Sequence, residues 1–190
     1  MYPKDTEYEE INKVAEASAP GANRLVYLPY LNGEQSPHFN LTCRGSFVGL
    51  SKIHTKGDMT RAVMEGVTYA LRDILSAIRK ADIEPDDVIM CGGGSKSPFW
   101  RQLMADIFKL PVKLPDMNSE NAAALGAAIL AMTGTGAYKS VPEACDKIIK
   151  LRSEIYKPNA KDSEYYDKVY AEFDKLYPQL KDSFKSILEL

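Results

Sequence analysis

A short apolar run, Asp87 to Cys91, passes directly into three glycines, Gly92-Gly93-Gly94, and then into Ser97-Pro98 at the head of a periodic apolar stretch. This order limits the fold more than any other feature. The run is too short for a helix and reads as a buried strand. Serine is a preferred helix N-cap and proline suits the first helical position, so a helix is predicted from Pro98 to about Phe108. A further strand is expected at Pro111 to Leu114. An alanine-rich helix is expected at Glu120 to Met132, ended by Gly134, where small side chains permit close packing on a sheet. Strands alternating with helices indicate an α/β layer architecture.

Upstream, Glu7 to Ala17 reads as a short polar helix ended by Pro20-Gly21. Leu25 to Leu31 is a compact strand, placed at an edge or bend because Pro29 cannot donate to a ladder. Asn32 to Arg44 is loop, and Ser46 to Leu50 a second short strand. The clearest helix follows. Met59, Ala62, Val63, Gly66, Val67, Ala70, Leu71, Ile74, Leu75 and Ile78 recur at helical spacing, with Arg61, Arg72, Asp73 and Arg79 off the stripe. Thr55 and Asp58 fit a capping box at its start. In the tail, Tyr166, Val169, Tyr170, Phe173, Leu176, Leu180, Phe184 and Ile187 keep a helical period past Pro178, which should kink or split the helix. The predicted organisation is a linker helix over 1–23, a sheet-and-helix core over 24–145 and a helical tail over 146–190.

Hydrophobic residues make up 45% and charged residues 26%, so a packed core is expected and not disorder. A net charge of −2, without a run of like charges, gives no electrostatic reason to bind nucleic acid or an anionic membrane. Cys43, Cys91 and Cys145 lack metal-ligand spacing and read as reduced thiols of a cytoplasmic protein. The start of the chain has no apolar stretch and is not read as a signal peptide. The small-apolar run from Ala122 to Met132 is too short to span a bilayer.

Few residues offer chemistry. His38 and His54 have no carboxylate or cysteine at a ligand or triad spacing. Glu34 is read as structural, pairing with Arg44, with a general base as its alternative. Glu65 is read as a partly buried, hydrogen-bonded carboxylate, with a functional role as its alternative, and Trp100 as a packing residue, with stacking on a base as its alternative. The glycine loop is the exception. Glycine lets a flat base or ribose lie on the peptide plane, and the helix behind it presents free N–H groups. It is neither a P-loop nor a Gly-x-Gly-x-x-Gly fingerprint. From the loop alone two readings stand: a nucleotide contact, or a tight turn that touches nothing. Lys96 reads as a solvated lysine, with phosphate binding as its alternative. Ser97 can cap the helix and still donate its O–H to a ligand.

Four ordered blocks carry a resemblance. Gly45 to Leu50, a spacer, and Asp58 to Glu65 resemble the second signature of the FGGY carbohydrate kinases. Leu28-Pro29-Tyr30-Leu31-Asn32-Gly33-Glu34 with Ser36-Pro37-His38 resembles a stretch of the xylulose and gluconate kinases in that family. Gly92 to Ser97 with Trp100-Arg101-Gln102 and Ala105-Asp106 resembles the adenosine-binding loop and helix. Ala122 to Ala128 resembles the helix after it. Gln35 and Asn40 depart from the arginine and aspartate usual there, so whatever that pair orders is in question here.

The resemblance implies a ribonuclease-H-like lobe of the actin and hexokinase type, the second of two, incomplete at its N-terminus and with a helical tail. It implies phosphoryl transfer from ATP to a sugar, with xylulose the leading candidate and gluconate or another sugar the alternative. The phosphate loops, the sugar site and the aspartate base belong to parts that this sequence does not resemble. It is therefore expected to be part of a longer enzyme, inactive alone and without a catalytic residue of its own. It is expected to hold only the adenosine end of ATP or ADP, with Gly93 and Gly94 against base and ribose and Ser97 at the adenine edge. Mg²⁺ is expected in the whole enzyme and not on this chain. The missing lobe and a second copy are the expected partners. A non-enzymatic dimerisation or regulatory module is the reading from another class.

Overall fold

The structure is a computed structural model and describes residues 2–3, 6–118 and 121–190. It divides into two units. One takes the chain up to Glu84, Asp106–Lys109 and Pro158–Leu190; the other takes Pro85–Ala105 and Leu110–Lys157.

The first unit is built along helix α2, Lys56–Lys80, where the apolar periodicity predicts it. The capping box is formed. The Asp58 amide donates to Thr55 Oγ1 at 3.3 Å, and the Thr55 amide donates to Asp58 Oδ2 at 2.7 Å. Helix α1, Tyr8–Glu16, and the antiparallel pair β1, Val26–Leu28, and β2, Ser46–Val48, pack around α2. Both strands are shorter than expected; β1 stops before Pro29, which has no N–H to continue a ladder. A side chain on Gly66 would come within 2.1 Å of the Tyr27 carbonyl, so this glycine sets how closely α2 approaches β1.

Between α1 and β1 the backbone turns through Gly21, Ala22, Asn23 and Arg24, all at positive φ, from 48° to 74°. Three of them are not glycine, and the left-handed region costs such residues roughly 1–2 kcal/mol each. Two carboxylates from α2 hold the turn. Asp58 Oδ1 accepts from Ser18 Oγ at 2.6 Å and from Asn23 Nδ2 at 2.7 Å. Burial pushes this carboxyl up, but the donors from Ser18, Thr55 and Asn23 outweigh it and hold it at about 2. Glu65 Oε1 accepts from the Gly21 amide at 3.0 Å, Arg61 Nε at 2.7 Å and Tyr166 O–H at 3.2 Å. Arg61 also donates to the Ser18 carbonyl and to Tyr166 Oη. Glu65 is 1% exposed, more deeply buried than its sequence position suggests.

Tyr166 comes from helix α6, Ala160–Leu188, capped by Asn159. This helix is not split at Pro178. The proline removes one backbone bond, but buried Phe173 and Phe184 anchor the helix on both sides of it. It covers the charged side of α2, which is why Arg61 and Asp73 are buried although they lie off the apolar stripe. Residues 32–44 are loop, as expected. The Glu34–Arg44 pair is not formed: Glu34 accepts from the Ser36 amide, and Arg44 donates to the Leu41 and Cys43 carbonyls. Asn40 orders the loop without the arginine–aspartate pair. Its Oδ1 accepts from Thr42, its Nδ2 donates to Tyr177, and its backbone pairs with Glu34.

The second unit holds a three-stranded sheet in the order β3, Val88–Ile89; β4, Val112–Pro115; β5, Leu151–Tyr156. β3 and β4 are parallel, and β4 and β5 antiparallel with a register shift between Lys113 and Pro115. Helix α3, Pro98–Phe108, joins β3 to β4 and has the predicted limits; its last turn, from Asp106, is counted with the first unit. Helix α4, Ala122–Gly134, packs with helix α5, Val141–Ile148. The start of α4 expected at Glu120 lies outside the described residues. The boundary expected after residue 145 falls inside α5, and β5 is a strand where helical tail was expected. β3 is not the buried strand predicted: Ile89 is 49% exposed, and β3 is an edge of the sheet among the described residues.

Glu65→Ala leaves the Arg61 charge buried without its carboxylate and frees the Gly21 amide. Removing one partner of a buried pair costs about 3–5 kcal/mol, so the urea midpoint is expected to fall accordingly. Glu9→Ala, which removes an exposed pair with Lys13, is expected to leave the midpoint in place.

Candidate functional site

The turn after β3 begins at Gly92, with φ 81° and ψ −173°. That region of backbone space is essentially restricted to glycine. A single 3-10 turn follows over Gly93–Lys96. It is closed by Ser95 Oγ donating to the Gly92 carbonyl at 2.7 Å and by the Ser97 amide donating to the Gly94 carbonyl at 3.2 Å. Ser97 then caps α3, its Oγ accepting from the Trp100 amide at 3.1 Å.

Two side chains of α3 brace the turn from behind. A methyl group added at Gly94 would stand 3.3 Å from the Trp100 ring, so the indole backs the glycine directly. Arg101 Nε donates to the Ser95 carbonyl at 2.5 Å, and its Nη1 donates to Tyr156 Oη at 2.9 Å. Arg101 therefore ties the loop to β5. Its partner lies on a strand with exposed side chains and no clear alternation, so the pairing was not visible in the sequence.

The predicted site residues are neighbours with different settings. Gly93 is exposed, and a methyl group there would meet nothing within 4 Å. Gly94 is half-buried between solvent and Trp100. Ser97 is 3% exposed, which makes it first of all a cap. Lys96 is exposed on the turn. The loop thus offers one bare peptide face at Gly93 and Gly94, held rigidly against the N-terminus of α3. A flat group resting there would meet the backbone of these glycines, close to the positive end of the helix dipole.

The surrounding cavities differ in character. One of about 350 Å³ opens beside the loop and is apolar, lined by Ile89, Cys91, Met117, Leu125 and Ile129 among others. Its size is within the range of small-molecule sites. A second, of about 50 Å³, lies by Ser95, Lys96, Arg101 and Arg152 and is too small for a nucleotide. In the first unit a groove of about 770 Å³ runs between α1 and the start of α2. Of its polar side chains, Ser18, Asn23 and Thr55 are bonded to Asp58, Lys13 pairs with Glu9 and Lys56 lies over the Tyr2 ring. Among the described residues, no three His, Cys, Asp or Glu side chains gather where they could hold a metal ion. No helix among them is long and apolar enough to cross a membrane. All three cysteines are free. His54 is bonded to Ser51 and to the Asn23 carbonyl, while His38 stands 4.0 Å from Asp73, a neighbour 35 positions away that spacing could not reveal.

The strand, glycine turn and capped helix belong to an α/β lobe of the ribonuclease-H-like type found in actin and hexokinase, the fold of the solved sugar kinases on which the chain superposes. The family model for the FGGY family of carbohydrate kinases, C-terminal domain, matches residues 3–135, and the chain belongs to that family. It is 40% identical over 183 residues to a xylulose kinase of Staphylococcus epidermidis, covering 96% of this chain and 36% of that protein. It is 35% identical over 181 residues to a gluconokinase of Bacillus licheniformis, covering 95% of this chain and 34% of that one. A solved structure of ligand-bound xylulose kinase from Lactobacillus acidophilus superposes with a TM-score of 0.85 at 32% identity, over 96% of this chain and 36% of that chain. The chain thus spans about a third of the length of the kinases it matches.

The backbone geometry separates the glycines. Gly92→Ala is expected to destabilise the chain by about 1–3 kcal/mol, because its φ and ψ are closed to alanine. Ser97→Ala should cost about 1 kcal/mol through the lost cap. Gly93→Ala should leave the denaturation midpoint unchanged, since its side chain enters open space.

Proposed function

We propose that this chain is the nucleotide-binding C-terminal part of an ATP-dependent sugar kinase whose substrate is D-xylulose. The observation that carries the sugar is the 40% identity to a xylulose kinase over 96% of the chain. A gluconate kinase is the second reading, favoured by the 35% identity to a gluconokinase. In this reading the protein works in the cytoplasm in xylose metabolism. The sugar pocket, the general base and the Mg²⁺ site lie on the part of the kinase outside this chain.

The residues present fit the adenosine end of ATP. The cradle is the exposed peptide at Gly93, where an added methyl group would meet nothing within 4 Å, and the half-buried Gly94, with Trp100 behind it. Gly93 and Gly94 rest against base and ribose. Ser97 holds the first turn of α3 in place and turns its O–H toward the adenine edge. ATP supplies the phosphoryl group; this chain binds and orients one end of it. Catalysis requires interactions that strengthen in the transition state, and these residues lie at the end of the nucleotide remote from the transferred phosphate. The apolar helix α4, of which only Ile129 is buried, is the surface on which the missing lobe or a second copy of the chain would pack.

The test is an NMR titration of the chain with adenosine, ADP and ATP·Mg²⁺. Ordering a ligand costs at least ~4 kcal/mol, and one stacked face leaves little surplus. Midpoints of roughly 1 mM or weaker are expected, alike for the three ligands, with shifts centred on Gly93, Gly94 and Ser97 and absent in Gly93→Ala. Micromolar, Mg²⁺-dependent binding of ATP would contradict the assignment. So would xylulose-dependent ATP consumption by the chain alone.

A further inference from the structure

The first unit contains a polar cluster that nucleotide binding does not use. Asp73, on α2, is 6% exposed. Its Oδ1 accepts from Tyr170 O–H of α6 at 2.5 Å, but its Oδ2 is buried without a hydrogen-bond donor. The nearest cationic group is His38 of the loop 32–44, whose Nε2 stands 4.0 Å from that oxygen, beyond hydrogen-bond reach. The His38 ring is stacked on Tyr177 of α6, with centroids 3.7 Å apart and planes 12° apart. Tyr30 Oη lies 3.4 Å from the same Nε2. Asn40 of this loop donates to Tyr177 Oη at 2.9 Å. The loop is thus fastened to α6 at two points and stops short of a third bond to α2.

We propose that His38 and Asp73 form a one-proton latch that clamps the loop 32–44 onto α2 and α6. Without an added proton, a neutral His38 imidazole faces the Asp73 carboxylate, and a bond from its Nε2–H lacks the charge assistance that a shared proton gives. One proton taken from solvent closes the gap, shared between Nε2 and Oδ2. A second proton neutralises the carboxylate, removes that charge assistance and loosens the contact again. The latch is tightest with one proton bound.

The surroundings bring the two titrations together. Burial, then Asp174 and Glu34, push the Asp73 carboxyl up to about 6, against the Tyr170 hydrogen bond and Arg72. Burial pushes His38 down, against Glu34 and Asp174. Arg72 donates from Nη2 to Asp167 at 2.8 Å and lies over the Tyr170 ring, and its Nη1 is buried without a hydrogen-bond partner. Burial pushes the Tyr30, Tyr170 and Cys43 groups up, so they stay protonated in the mildly acidic range. With the Asp73 carboxyl at about 6 and His38 lowered from its ordinary value, the two groups compete for one proton across the 4.0 Å gap, which makes the loop responsive to pH. The latch fixes a loop whose outer side presents Phe39, 83% exposed, and Leu41, 67% exposed.

The test is amide exchange of the intact chain from pH 5 to pH 8, with the His38 ring followed by NMR. Protection of the paired Glu34 and Asn40 amides, corrected for intrinsic rates, is expected to peak near pH 6. Asp73→Asn should remove the peak and lower the His38 midpoint by about one pH unit, as loss of a nearby carboxylate requires. A flat profile in the unaltered chain, or an unchanged His38 midpoint in Asp73→Asn, overturns the proposal. Should Asp73→Asn fail to fold, His38→Gln decides: the peak must vanish, and its persistence overturns the latch.

Discussion

The first unit depends on two buried carboxylates on one face of α2. Asp58 and Glu65 are seven positions apart, hence two turns along the same side of the helix. Together they supply acceptors to Ser18, Gly21, Asn23, Thr55, Arg61 and Tyr166. The left-handed run from Gly21 to Arg24 would not hold on its own, since three of its residues are strained there. The carboxylates fix it from α2, and Tyr166 fastens α6 to the same oxygen. One helix face thereby sets the position of the preceding turn and of a helix about a hundred residues later. Each carboxylate is costly to bury, and each is tolerable because its donors are nearly all internal.

The second unit is governed by backbone geometry. Gly92 makes the turn that lets α3 start close to the end of β3, Ser97 caps it, and Trp100 and Arg101 stiffen the turn from the helix side. The outcome is a bare peptide surface on a rigid support. That is a better platform for a flat ligand than a mobile loop, because little ordering entropy is lost on binding. The same unit shows apolar surface on α4 and along β3, which suits a chain that spans about a third of the length of related kinases.

What could be read from the sequence was local. The capping box at Thr55, the limits of α3 and the cap at Ser97 each depend on residues within a few positions, and each appears as predicted. What could not be read depends on distant partners. Arg61 and Asp73 looked like the solvent side of α2, but α6 covers them. β5 carries Leu151 and Ile155 largely exposed, so no inward-facing alternation marked it as a strand. Pro178 reads as a helix breaker by local rules, and buried aromatic anchors on both sides override it. At the site, Gly93, Gly94 and Ser97 could be read as a glycine turn running into a capped helix because they are neighbours in the chain, and a nucleotide contact was one of the two readings that the loop allowed. The brace from Arg101 to Tyr156 was not, because it joins elements 55 residues apart.

The central claim is that the turn at Gly93 and Gly94 carries the adenosine end of a nucleotide. The most direct measurement is of intermolecular nuclear Overhauser effects between bound adenosine and the labelled chain. Contacts from the adenine H2 and H8 and the ribose H1′ protons to the Gly93 and Gly94 amides and the Ser97 side chain are predicted. Contacts to the groove between α1 and α2, at Lys13, Val14 and Lys56, with none at the glycines, would contradict it.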